Sequence, residues 1–188
     1  MNGVVEPLSE AWYAVYTKFK HEKSVASLLE RKDLHVFLPV YRTMHRWSDR
    51  NKLVILPLFP CYVFVRTGLD RKLDVLRTAG VRWFVEIGGH ACFVPEAEIE
   101  AVRKICATGD RVQPHPFLKD GNPVRIRTGA LAGIEGLLVR IKNQSRVVIS
   151  VQLLQKSVSV EAELANLEAL SVSRGVIADY PFVAARRA

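Results

Sequence analysis

Apolar and polar positions along the chain fall into runs whose period changes several times. Residues 12–17 (WYAVYT) are aromatic and β-branched, the composition of a strand. Over 21–31, Val25, Leu28 and Leu29 return at helical spacing. From 36 to 47 apolar positions alternate as Val36, Leu38, Val40 and Met44. Ser48, Asp49, Arg50 and Asn51 then supply turn chemistry, and 52–59 returns, so 36–59 is expected to form one extended β-ribbon. Residues 61–65 (CYVFV) are apolar throughout, as in a central strand covered on both faces. Leu69, Leu73 and Leu76 mark a short amphipathic helix over 69–78. A strand over 81–87 stops at Gly88 and Gly89, where positive φ permits a tight turn, and 91–94 pairs back. Pro95, Glu96, Glu98 and Glu100 early, with Arg103 and Lys104 late, suit the dipole of a third helix, which Gly109 ends.

The order β-α-β-β-β-α-β-β-α predicts an α+β layer of sheet and helices over residues 1–107. Pro114 and Pro116 break the pattern, so 108–118 reads as a linker. Beyond it, strands are expected at 124–127, 135–141, 146–153, 157–161 and near 167–170, which makes a small barrel over 119–170. Val147, Val148, Ile149, Val158 and Val160 are β-branched and favour that barrel over helices. The tail 171–188 has no clear period.

Composition changes this picture little. The chain has 188 residues, 49% hydrophobic and 24% charged, enough apolar material for a buried core. No stretch approaches the ~18–20 apolar residues of a membrane span, and the first residues lack a signal-peptide pattern. Cys61, Cys92 and Cys106 are odd in number and form no C-x-x-C, so reduced packing cysteines and a cytoplasmic location are expected. A cysteine-dependent enzyme using Cys61 with His45 or His90 is a competing reading; a thiol inside an apolar strand argues against it. The net charge of +8 points to an acidic partner. It is spread thinly, with 16 basic and 12 acidic side chains over 1–107.

Local basic groups carry more information. Arg42, His45, Arg46, Arg50 and Lys52 line the ribbon against Asp49 alone. A cationic two-stranded ribbon can follow nucleic-acid phosphates or a polymerase loop, and Trp47 beside it can stack on an unpaired base. A solvated edge protected by cations is the other reading.

Two segments together resemble one family. PLFPCYVFV (57–65) lies after WYAVYTK and before GVRWFVEIGG and VPEAEIEAV, and RIRTGALAGIEGLLVRI (125–141) looks like a KOW motif. In this order they resemble the NusG family of transcription elongation factors over about residues 11–170, with a texture closer to specialised paralogues of the RfaH/UpxY type. The resemblance implies an N-terminal NGN domain, an antiparallel sheet with helices in a ferredoxin-like variant, and a C-terminal SH3-like KOW barrel. It also implies a monomer without catalysis or cofactor. The NGN domain would seat on the clamp helices of RNA polymerase and suppress pausing. The barrel would recruit Rho or a small-subunit ribosomal protein. A ribosome-associated KOW protein that binds RNA is the alternative, for which the N-terminal domain would be surplus.

Within that frame, Tyr16, Phe59, Tyr62, Phe64 and Phe84 are candidates for the apolar groove that takes a helical partner, with simple core packing as the other reading. Tyr62 and Phe64 share one face of their strand by alternation. Many family members carry glycine where Cys61 stands. Lys18, Lys20, His21 and Lys23 form a second basic group, which in the specialised paralogues faces non-template DNA; Arg71 and Lys72 would add contacts. Surface lysine is the plainer reading of this group. In the barrel, Gly129, Gly133 and Gly136 are expected to serve a tight loop, and Leu131, Ile134, Leu153 and Leu154 occupy the places where relatives often show partner-binding aromatics.

Overall fold

The structure is a computed structural model that describes residues 10–46, 51–108, 112–115, 121–141, 144–151 and 154–170. The N-terminal part runs β1 (Ala11–Thr17), α1 (Glu22–Glu30), β2 (His35–Phe37), β3 (Val40–Arg46), β4 (Asn51–Pro57) and β5 (Tyr62–Thr67). A 3-10 turn leads to α2 (Lys72–Leu76), followed by β6 (Val81–Phe84), β7 (Glu86–Ile87), β8 (His90–Ala91), β9 (Phe93–Val94) and α3 (Glu96–Thr108). The C-terminal part contains β10 (Gln113–His115), β11 (Asn122–Ile126), β12 (Glu135–Ile141), β13 (Gln144–Val151), β14 (Lys156–Glu161) and β15 (Leu167–Ala169).

β1 is the centre of an antiparallel sheet ordered β2-β5-β1-β6, with β9 sharing an edge of β1. Because successive side chains alternate, β1 and β5 serve two cores. Tyr13, Val15, Val63 and Val65 pack under α1 and α2 with Val25, Leu29, Val75 and Phe84. Trp12, Ala14 and Phe64 face the other way, against Ile99, Val102 and Ile105 of α3. This second cluster continues into Val124, Ile126, Ile149 and Val158 of the barrel. Helix α3 thus packs against both β1 and β13. Trp12 Nε1 donates to Glu96 Oε1 at 3.1 Å, fixing the start of α3 on the sheet.

Three boundaries differ from the sequence expectation. Of 91–94, only Ala91 pairs back, on β7, while Phe93 and Val94 pair with β1. The ribbon is β3 with β4 only; residues 35–37 leave it and pair with β5. Pro39 separates the two pieces, since it has no N–H to donate, and its carbonyl instead accepts the Leu58 N–H at 2.8 Å. In the stretch read as a linker, residues 113–115 form β10, which pairs with β14. Proline is tolerated there because β10 is an edge strand.

The barrel sheet is ordered β10-β14-β13-β12-β11-β15. Gly136 allows β12 to approach β13: a Cβ there would stand 2.5 Å from the Val148 carbonyl oxygen and 2.7 Å from Val147 Cγ1. Arg146 is buried, and its charge is answered by Glu161 Oε1 at 2.8 Å and Ser159 Oγ at 3.2 Å.

Candidate functional site

Three aromatic side chains cross the N-terminal sheet in register. Tyr16 of β1 stands opposite Tyr62 of β5 on one side and Trp83 of β6 on the other. Tyr16 meets Tyr62 edge-on at 5.3 Å and 78°, and stacks on Trp83 at 4.6 Å and 9°. Trp83 is 53% exposed, and Tyr16 and Tyr62 are half-buried. The result is a strip of apolar rings with hydroxyl and indole edges, a surface suited to a partner that is part apolar and part polar.

Cys61 shapes the lower end of this strip. It precedes β5 with φ 68°, a left-handed conformation that favours glycine. Its N–H donates to the buried Glu22 Oε1 at 2.8 Å, and its carbonyl accepts the Thr17 N–H at 2.8 Å. The Tyr16 hydroxyl hydrogen-bonds the Cys61 side chain, which raises the Tyr16 pKa above the usual phenol value. Burial does the same for Tyr62, helped by the neighbouring Tyr16.

The other rings expected in the groove lie elsewhere. Phe64 shares the face of Tyr16 and Tyr62, yet it is fully buried, 5.9 Å from Phe59 and 6.1 Å from Phe37. Phe59 is buried in the same cluster. Phe84 belongs to the opposite core, edge-on to Tyr13 at 5.8 Å. In this arrangement these three rings offer no surface to a partner. Trp83, absent from the sequence expectation, is the ring that instead lies open beside Tyr16. Beside the buried end, Leu58, Phe59 and Pro60 meet Pro114, His115, Gln155, Lys156 and Ser157 of the barrel around a cleft of about 280 Å³.

The basic groups separate into engaged and open ones. Arg71 is pinned to the Lys32 carbonyl at 2.7 Å, and Lys72 to Glu86 Oε1 at 2.7 Å. Lys23 Nζ donates to the Ile55 carbonyl at 3.1 Å, tying α1 to the ribbon. Lys18, Lys20 and His21 are exposed at the β1–α1 turn, and between them Phe19 is 67% exposed. On the ribbon, Arg42 and Lys52 are exposed. Arg42 shares a face with Ile55, Met44 and Leu53, which are 45%, 62% and 54% exposed. Arg46 lies in β3, while Trp47 and Arg50 fall outside the described residues.

In the barrel, Gly129 and Gly133 have φ 85° and 84°, as the loop requires. Ile134 and Leu154 are buried, so these two form interior rather than a contact patch, while Leu131 is half-buried against the same core. Leu153 lies outside the described residues. Burial pushes the Cys106 thiol up to about 11, which keeps it protonated and unreactive near neutrality. Among the described residues no cluster of His, Cys, Asp or Glu is arranged to hold a metal, and no helix is long and apolar enough to cross a membrane.

A sheet layered with helices, joined to a small barrel with glycine-set loops, is the NGN-plus-KOW architecture. The family model for NusG, described as transcription termination factor nusG, matches residues 10–103, half of the chain, and the chain belongs to the NusG family. The transcription termination/antitermination protein NusG of Pseudomonas aeruginosa is 25% identical over 175 residues, covering 86% of this chain and 99% of that protein. Its counterpart in Escherichia coli K12 is 24% identical over 177 residues, covering 87% and 98%. The solved structure described as domain interaction in Thermotoga maritima NusG aligns with a TM-score of 0.57 at 19% identity, covering 87% of this chain and 98% of that one. These matches carry the general family name and do not extend to the RfaH/UpxY subgroup.

Proposed function

We propose that the chain is a non-enzymatic transcription elongation and antitermination factor that docks on the clamp helices of RNA polymerase. The open aromatic strip Tyr62–Tyr16–Trp83 carries this reading: it is a registered, partly exposed ring surface on the sheet of the family-defining region. Helical partners bind where apolar anchors are rimmed by polar groups. Here the anchors are the three rings, and the rim includes Lys18, just past the end of β1, and Arg82, next to Trp83 on β6, both exposed. Docking there would place the exposed cations of the β1–α1 turn and the ribbon beside the displaced DNA strand. The barrel, whose sheet begins with β10, would then recruit Rho or a ribosomal protein. Since Ile134 and Leu154 are interior, that recruitment would use other barrel positions.

A pull-down with core RNA polymerase tests the docking surface. Tyr62→Ala and Trp83→Ala are expected to lose polymerase binding and pause suppression together while the fold persists. Unchanged binding in both would remove this assignment. Binding to structured RNA with no affinity for polymerase would favour a ribosome-associated KOW protein instead.

A further inference from the structure

The turn that leads into β5 is held in a conformation its own sequence disfavours. The Tyr62 N–H closes on the Phe59 carbonyl at 3.1 Å, so Pro60 and Cys61 are the two central residues. Proline suits the first of them, and with φ 68° at Cys61 the turn is type II. That turn favours glycine at its second central position, because a Cβ is crowded at positive φ. In a type I turn the same four residues would keep the closing hydrogen bond, and Cys61 would return to negative φ. The two forms differ mainly by a half-rotation of the Pro60–Cys61 peptide, which reverses the direction of its N–H.

A buried carboxylate holds that N–H where it is. The Cys61 N–H donates to Glu22 Oε1 at 2.8 Å, across 39 residues of sequence. Glu22 is the first residue of α1 and is only 3% exposed, an uncommon place for a carboxylate. A hydrogen bond to an ionised acceptor is about twice as strong as a neutral one. A flipped peptide would turn the Pro60 carbonyl toward the carboxylate, where the two oxygens repel. Glu22 therefore favours the left-handed form both by the bond it accepts and by the repulsion it would otherwise meet. The effect reaches the aromatic strip. Cys61 carries the hydrogen bond to the Tyr16 hydroxyl, its carbonyl accepts the Thr17 N–H at 2.8 Å, and Tyr62 is the next residue. A flip would re-aim the Cys61 side chain and release both tyrosines from their present order.

We propose that Glu22 is a positioning residue for the aromatic strip: its buried carboxylate locks the Pro60–Cys61 peptide in the type II orientation and keeps Tyr16 and Tyr62 preordered for a partner. The inference rests on the reading of that strip as the polymerase-docking surface. Glu22 acts only through Cys61. The cysteine makes the lock necessary, since glycine at that position would hold the type II turn unaided.

The test combines Glu22→Ala with Cys61→Gly in the full chain, using NMR of the free protein and binding to core RNA polymerase. A type II turn has ψ of about 120° at its first central residue, which brings the Pro60 Hα beside the N–H of residue 61. Wild type is expected to show that proximity as a strong nuclear Overhauser effect, with the Cys61 amide proton shifted downfield by its carboxylate partner. Glu22→Ala should lose most of both signals. It should also bind polymerase about tenfold more weakly, because only about a tenth of the molecules would keep the docking-competent turn. In the Cys61→Gly background the same Glu22→Ala change should leave the Overhauser effect intact and weaken binding by less than about twofold. Glu22→Gln, which retains an acceptor oxygen and a similar volume, should keep the Overhauser effect and bind within about threefold of wild type. The proposal is overturned if Glu22→Ala retains the type II signature, or if it weakens binding equally in both backgrounds, as a general loss of stability would. Should Glu22→Ala not fold, a folded Glu22→Ala/Cys61→Gly chain supports the lock and an unfolded one overturns it. If Tyr62→Ala and Trp83→Ala retain polymerase while the Overhauser effect depends on Glu22 as described, the docking assignment falls and the lock on the turn stands.

Discussion

Two aromatic groups lie on the same face of the same sheet and have opposite fates. Phe64, with Phe59 and Phe37 around it, is sealed in a core shared with α3 and the barrel. Tyr62, two residues earlier on β5, turns the same way but joins Tyr16 and Trp83 in the open. Alternation along a strand assigns a side chain to a face, and what lies over that face decides between core and surface. The cover is α3, which reaches β1 near Trp12 through Glu96. The rings it covers are phenylalanines and Trp12, whose indole N–H is already satisfied by Glu96. The exposed ones carry hydroxyl or indole groups that water or a partner can satisfy.

The sharpest way to break this comparison is to truncate one ring in each group. Phe64→Ala removes a fully buried ring and is expected to cost about 3–5 kcal/mol in denaturant unfolding. Tyr62→Ala, from a half-buried site, should cost about 1 kcal/mol. Similar losses from the two would show that the outer strip is core as well.

The second test exchanges stability for binding. Trp83→Ala should change unfolding free energy by less than about 1 kcal/mol, because the indole is 53% exposed. As an interface anchor its loss should weaken polymerase binding by about 2 kcal/mol, roughly thirtyfold. The reverse pattern, a large stability loss with binding intact, would return Trp83 to a packing role.

The same contrast explains what could be read from the chain beforehand. The periods marked most elements of the sheet and barrel, because local apolar spacing is dictated by which side faces a core. The shared face of Tyr62 and Phe64 was legible for that reason. Their different burial was not, since it depends on α3, more than thirty residues later in the chain. Trp83 was missed because its partner Tyr16 is defined by register across β1 and β6, which no local window contains. Arg71 and Lys72 read as free cations, but the Lys32 carbonyl and Glu86 that hold them come from distant elements. Phe19 between two lysines was visible in the sequence; its exposure and the left-handed φ of 63° at Lys20 beside it were not.

Cys61 stands at the border of the two groups, and replacing it sharpens the division. Cys61→Gly would remove a left-handed non-glycine residue, φ 68°, while keeping the backbone N–H bonded to Glu22. The expected gain is about 0.5–1 kcal/mol, the strain relief offset by the greater freedom of glycine in the unfolded chain. A loss of stability would mean that the thiol itself holds the strip together through Tyr16.

The smallest effect is a titration, and it separates Tyr16 from Tyr62. Both hydroxyls hold their protons more tightly in the folded chain than an ordinary phenol, Tyr16 chiefly through its hydrogen bond to Cys61 and Tyr62 chiefly through burial. A group whose pKa is raised by folding contributes stability that is fully present below the unfolded value, about 10 for tyrosine. That contribution is lost as pH rises through the folded value, so unfolding free energy should decline above about pH 10 and stay level below it as far as these two groups are concerned. Ultraviolet absorbance of phenolate should show two late-titrating tyrosines in the native chain. In Cys61→Gly, Tyr16 should return toward ordinary behaviour, because its main cause is gone. Tyr62 should remain late, because burial is unchanged. If both return together, the Tyr62 shift originates in its neighbours rather than in burial, and the inner and outer rings differ less in solvation than their positions imply.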